Sequence, residues 1–245
     1  EVGRRAFWYY FPVALTIKLS PLPLLMPVVV AALHPRALAN WALLSAAALL
    51  AFSLTYRVQN GVRLVLPLVA LALVGLAGAV VRACRESGSG WRRGALAAGA
   101  GAGIIWTAAA AAFVWPHGLC YTNEFWGGTQ RGYLLLSDSN YDWGQGVKEL
   151  ARWQRLHGRG PLDVWYFGTD PILRSLPLRE VRLDMPSIKG PEDVIARVRG
   201  HYLAVGTTWL YGAYIPVDRQ QRYAFLRARR PVARTMTFMI YDFTQ

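Results

Sequence analysis

The sequence predicts a multi-pass α-helical membrane region followed by a small extracytoplasmic α/β domain, and three observations carry that reading. Of the 14 acidic residues only Glu1 and Glu86 precede Pro116; all the others follow His117. Apolar residues make up 54% of the 245 and are bunched before Pro116 into long runs of Leu, Ala, Val and Gly, a pattern that favours lipid as solvent. After Pro116 short β-rich runs alternate with helical stretches of ordinary globular composition, as in a layered α/β domain. The expected division is therefore residues 1–116 in the membrane and 117–245 in water.

The elements follow in order. Phe7, Trp8, Tyr9, Tyr10, Phe11 and Pro12 have the composition of an interfacial belt. Four runs, about 15–33, 37–55, 64–81 and 94–115, are each long enough to span a hydrocarbon core of roughly 30 Å at about 1.5 Å per helical residue. Lys18 lies near one end of the first, where its stem can snorkel. In the last, Gly99 and Gly103 form a small-xxx-small pair, which reads equally as a helix-packing face or as a bias in composition.

Orientation rests on the short connection Arg82 to Arg93, whose four arginines place it in the cytoplasm and send everything after Trp115 outside. Arg4, Arg5, Lys18, Arg57 and Arg63 then lie on the outer side, against Arg36 and those four arginines inside.

In the second half strands are expected at Tyr133 to Leu136, Asp163 to Phe167, His201 to Trp209 and Ala233 to Phe243. Helices are expected at Trp143 to His157, with Val147, Leu150 and Ala151 on one face, at Pro191 to Arg199 and at Arg219 to Arg229.

The net charge of +13 comes almost wholly from arginine, since only Lys18, Lys148 and Lys189 are lysines. Those arginines flank apolar runs or sit on one amphipathic stretch, so membrane orientation explains them and nucleic acid is not an expected partner. Cys84 and Cys120 stand on either side of an apolar run and cannot pair across a membrane. His34, His117, His157 and His201 are isolated in sequence, and no metal or other cofactor is expected. The sequence opens at Glu1 without methionine or a signal pattern, and the expectation is a portion of a longer chain.

The most distinctive run is Leu136-Ser-Asp-Ser-Asn-Tyr-Asp-Trp-Gly-Gln145. Its short polar side chains read as the end of a strand, with Asp142 placed to cap the following helix. Asp138, Asn140, Asp142 and Glu149 fall at positions one, three, five and twelve of a calcium loop. Trp143 occupies the sixth position, where such a loop needs glycine, so metal is disfavoured.

Taken with Tyr121, Asn123, Glu124, Gly127 and Gly128, the run Asp138 to Gln145 resembles the C-terminal part of the bacterial membrane glycosyltransferases of family 39. These are relatives of protein O-mannosyltransferases and of the lipid A aminoarabinose transferase. The matching patterns are YfNe-GG followed by l-DSN-DWGQ-l, with Gly146 where an acid is common and Phe125-Trp126 in place of smaller residues. Tyr9 to Pro23 resembles the family's YYP-alllK-P-lp segment with Ser20 inserted, and Gly61 to Pro67 its G-RY-lP motif with Leu64 for Tyr. The resemblance extends to about Gly168.

It implies a GT-C architecture on a bacterial cytoplasmic membrane, with a polyprenyl-phosphate-linked sugar as donor and transfer on the extracytoplasmic side. Lys18 and Arg63 are the outer cations that such a phosphate would meet, ordinary snorkelling being the other reading of each. Asn123, Glu124, Asp138, Asn140, Asp142, Trp143 and Gln145 are motif residues of structural role. In the family the acids that act as general base lie in the first outer loop, which this sequence does not contain, so the catalytic residues are expected upstream of residue 1. The chain alone is then an incomplete enzyme, its sugar and acceptor unread. The rival is a non-enzymatic membrane protein whose outer domain binds glycan or a partner. A transporter is disfavoured because the spans contain no carboxylate.

Overall fold

The structure is a computed structural model that describes residues 7–88, 90–158, 160–212 and 214–245. It divides into two compact units, one running through Thr129 and the other from Gln130 to Gln245. The division falls beyond the expected boundary at Pro116, because residues 118–124 are hydrogen-bonded to the first helix of the N-terminal unit.

That unit begins with α1, Tyr10–Lys18, and α2, Pro21–Leu33, which are bent by 107° relative to each other. The break has a local cause. A residue preceding proline is pushed out of the helical region, and Ser20, before Pro21, is extended with φ −64° and ψ 163°. After a 3₁₀ turn at Pro35–Leu38 comes α3, Trp41–Ser53. Asn40 caps it by accepting from the Leu43 amide at 3.0 Å, while its own amide donates to the Gly75 carbonyl at 3.1 Å. A side chain at Gly75 would overlap Asn40 and Leu43, so this close approach needs glycine.

A 3₁₀ turn, Val62–Val65, leads into α4, Leu66–Glu86, and α5 is Trp91–Val114. Packed against α2, α3 and α5, α4 buries Leu76, Ala79 and Ala83 with Met26, Val30 and Leu96, while Val65 and Leu68 meet Phe11 and Leu15 of α1.

Among the described residues two stretches, Val62–Glu86 and Trp91–Val114, are long and apolar enough to cross a membrane, and the bent pair α1–α2 makes a third if taken as one broken span. The four expected spans are thus corrected. Run 15–33 is interrupted at Leu19 and Ser20. Run 37–55 holds a helix of 13 residues, about 20 Å long and short of a hydrocarbon core of roughly 30 Å, because the 3₁₀ turn and the Asn40 cap consume its start.

Arg82 and Arg85 belong to the last turns of α4 instead of a loop, Arg82 pairing with Glu86 at 2.8 Å. His34, expected to be isolated, stands 2.6 Å from the Ser87 hydroxyl through Nε2 and 3.5 Å from Glu86 through Nδ1, tying the end of α2 to the end of α4.

The C-terminal unit is built on a five-stranded sheet in the order β2-β1-β3-β5-β4. Its strands are β1 Leu162–Trp165, β2 Arg179–Glu180, β3 Tyr202–Gly206, β4 Ala233–Arg234 and β5 Phe238–Asp242. β1 runs parallel to β2 and β3, and β5 antiparallel to β3 and β4.

Alternation of side chains sorts the strands onto two cores. Leu162, Val164, Tyr202, Ala204, Phe238 and Ile240 pack with Val147 and Leu150 of α6, Val147–His157. On the other face Trp165, Leu203, Val205, Met239 and Tyr241 pack with α7, Pro191–Val198, and with Tyr223 and Leu226 of α9, Val217–Ala228. Helices thus cover both faces of the sheet.

Three expectations differ here. Tyr133 to Leu136 is no strand; Thr129–Leu134 winds as 3₁₀ turns with the Arg234 guanidinium 4.5 Å over the Tyr133 ring. The strand from His201 ends at Gly206 and turns into the short helix α8, Thr207–Tyr211, because Asp142 accepts the Thr208 amide there. The last stretch is a hairpin, turned where the Thr235 hydroxyl accepts the Phe238 amide at 3.2 Å.

Candidate functional site

In the N-terminal unit the bend between α1 and α2 exposes carbonyl groups that a continuous helix would have satisfied, a serious matter where no water is at hand. Asn123, fully buried, answers it. Its side-chain amide donates to Thr16 and, at 2.8 Å, to Leu19, and its backbone amide donates to Ile17 at 2.9 Å. Lys18 reciprocates by donating to the Leu119 carbonyl at 2.8 Å and to that of Tyr121. The two motif segments, Tyr9 to Pro23 and Tyr121 to Gly128, are thereby one structural clasp.

Beside the clasp lies a cavity of about 680 Å³ with largely apolar walls. Leu22, Leu73, Ile104 and Ala111 form part of those walls, and Lys18, Ser20, Thr107 and Tyr121 bring polar groups to them. The Ser20 and Thr107 hydroxyls are 2.8 Å apart. Arg63 does not line this cavity. It is exposed on the 3₁₀ turn at Val62–Val65, near the opposite end of α1 from Lys18, where the Gly61 amide donates to the Tyr10 hydroxyl at 3.1 Å. Glu124 is exposed, its carboxylate 3.4 Å from the Trp106 indole nitrogen.

In the C-terminal unit residues 137–145 pack at the carboxyl ends of the parallel strands β1 and β3. Asp138 has φ 57°, in the left-handed region that aspartate tolerates better than most residues, and its amide donates to the Thr208 hydroxyl at 3.2 Å. Asn140 is buried within a 3₁₀ turn at Asp138–Asn140.

Asp142 does not cap α6, which begins at Val147 after Gly146. It is buried instead, accepting from Gly144 N at 3.0 Å and from Thr208 N and Thr207 Oγ1 at 3.3 Å each. Burial pushes its carboxyl up to about 6 against the opposing pull of those hydrogen bonds, and the Asp138 charge adds to the rise.

Gln145 folds back on the turn, accepting from Trp143 N at 2.8 Å and donating to the Tyr141 carbonyl at 2.9 Å. Gly144, at φ 88°, lies against Phe167 and Gly168, where any side chain would overlap the Phe167 carbonyl. Trp143, 48% exposed, packs edge-on to Phe167. Glu149 points elsewhere and accepts the Met236 amide at 3.1 Å. Among the described residues no group of three or more His, Cys, Asp or Glu side chains is placed to hold a metal ion.

One charged cluster escaped the sequence reading. Asp163, completely buried in β1, is held by Arg179 at 2.5 and 2.6 Å and by His201 Nδ1 at 3.1 Å. A lone acid inside the apolar run Leu162–Trp165 was the available signal, since a buried carboxylate requires a partner. His201 is accordingly not isolated.

Among the described residues, a helical unit with two stretches long and apolar enough to cross a membrane, or three with the bent pair, and a sheet unit carrying a polar turn at its strand ends define the class of chain. Compared with protein-family models, with curated proteins and with solved structures, the chain matches none of them.

Proposed function

We propose that this chain is the C-terminal portion of a membrane glycosyltransferase that takes its sugar from a polyprenyl-phosphate donor on the extracytoplasmic side of the membrane. The observation that carries the reading is the clasp of Lys18 and Asn123 beside the apolar cavity, which joins the two family-like motifs of the helical unit at a space suited to a lipid chain. An isoprenoid tail is excluded from water at about 0.8 kcal/mol per buried methylene. Along such walls it would bring its phosphate toward Lys18 and the Ser20, Thr107 and Tyr121 hydroxyls, and a charge-assisted contact there contributes about 1.5–3 kcal/mol. Arg63 has no part in this version of the site. The general base lies outside these residues, so the chain supplies donor binding and the C-terminal unit but no turnover by itself.

A photoreactive polyprenyl phosphate offered to the chain in nanodiscs should label Leu22 saturably. Ala111→Trp, which fills the cavity, should abolish that labelling while leaving the melting transition in place. Labelling that is undiminished by Ala111→Trp, or spread over the outer faces of α5, defeats the assignment.

A further inference from the structure

At the carboxyl ends of β1 and β3, the edge where parallel sheets place their ligands, four aromatic rings form one group that neither the turn nor the helical cavity uses. Phe167 is its centre. Trp143 stands 5.8 Å from it at 71°, Trp209 5.5 Å at 81°, and Tyr214 4.7 Å at 50°. Trp143 and Tyr214 remain 48% and 43% exposed. Contacts with Phe167, edge-on from Trp143 and tilted from Tyr214, hold both rings in place, so a ligand meeting them would have little further ordering to impose.

Carboxylates and hydroxyls also stand at this edge. Asp138 and Asp142 are tied to Thr208, and the Tyr166 hydroxyl donates to the Gly144 carbonyl at 2.9 Å and accepts the Asp170 amide at 3.3 Å.

We propose that Trp143 and Tyr214 form a stacking platform for the ring of a neutral sugar, with hydroxyls of that sugar donating to the exposed carboxylate of Asp170, whose amide is bonded within the same edge. A pyranose presents an apolar face of C–H groups to an aromatic ring, whose π face is electron-rich, and a rim of hydroxyl donors to carboxylates. The exposed Asp170 carboxylate favours a neutral, hydroxyl-bearing ligand over an anionic lipid surface or a nucleic acid. The inference does not rest on the transferase reading. Its ligand is a free glycan and its residues lie in the C-terminal unit, so prenyl-phosphate labelling and sugar binding succeed or fail separately.

The test uses the full chain in nanodiscs with mannotriose, cellotriose and chitotriose, read by calorimetry. At least one should bind, and both Trp143→Ala and Tyr214→Ser should weaken it about ten-fold or more with the melting transition kept. Trp41→Ala, at a ring 82% exposed in the helical unit, should bind as the unaltered chain does. The proposal is overturned if none of the three trisaccharides binds, or if the two platform variants bind as tightly as the parent. Brominated acyl chains that quench the fluorescence removed by Trp143→Ala would also overturn it, by placing the ring in lipid.

Discussion

Asp142 is the residue whose position changes its chemistry most. Its carboxyl accepts hydrogen bonds from three groups and is still pushed up to about 6 from the ordinary 3.8, because burial outweighs the bonds. A carboxyl raised on folding stabilises the folded state fully below its unfolded pKa, and that contribution is lost as pH rises through the folded value. Across the window from about 4 to 6 the difference amounts to about 3 kcal/mol at most. The parent chain should therefore lose stability relative to Asp142→Asn as pH goes from 4 to 7, measured as the difference in their melting temperatures at each pH. A difference that stays flat over that range would show that Asp142 ionises as an exposed acid does. Asn123 acts at the same scale by closing the backbone groups that the bend leaves open, since each buried carbonyl without a donor costs about 1–3 kcal/mol.

Between elements, the close approach of α2 and α5 depends on one glycine of the small-residue pair. A side chain at Gly103 would overlap Leu22, whereas one at Gly99 would meet the Met26 methyl at an ordinary 3.8 Å and one at Gly101 would meet nothing within 4 Å. The choice between a packing face and a compositional bias is thus settled position by position. Gly103→Val should lower the unfolding temperature in detergent by the equivalent of about 1–3 kcal/mol, the usual price of overpacking, while Gly101→Val should leave it unchanged or slightly raised. Equal effects at the two sites would mean that α5 does not pack there as described. Much of α5 remains uncovered: Ile105 is 71% and Phe113 81% exposed, a surface compatible with lipid and unfavourable in water.

For the whole molecule, orientation is the property that a chemical label reads directly. Cys120 is completely buried, so an impermeant thiol reagent reports poorly at the native cysteines. Cysteines placed at the exposed positions Arg92 and Glu192, in a Cys84→Ser background, are better probes. If the proposed topology holds, Glu192→Cys reacts in intact bacterial cells and Arg92→Cys only after permeabilisation; the reverse pattern inverts the orientation and removes the extracytoplasmic site. Composition and local pattern determined the division into an apolar helical part and a mixed α/β part, the helices near Val147–His157, Pro191–Val198 and Val217–Ala228, and the motif run at 138–145. These depend on solvent preference and on periodicity along the chain, which are local quantities. Tertiary structure alone decided that α1 and α2 bend apart with Asn123 serving the bend, that Asp142 serves α8 instead of α6, and that Asp163 meets Arg179 and His201. Each of those joins residues distant in sequence, and the partner of a buried polar group is chosen by what packs beside it, which no local pattern records.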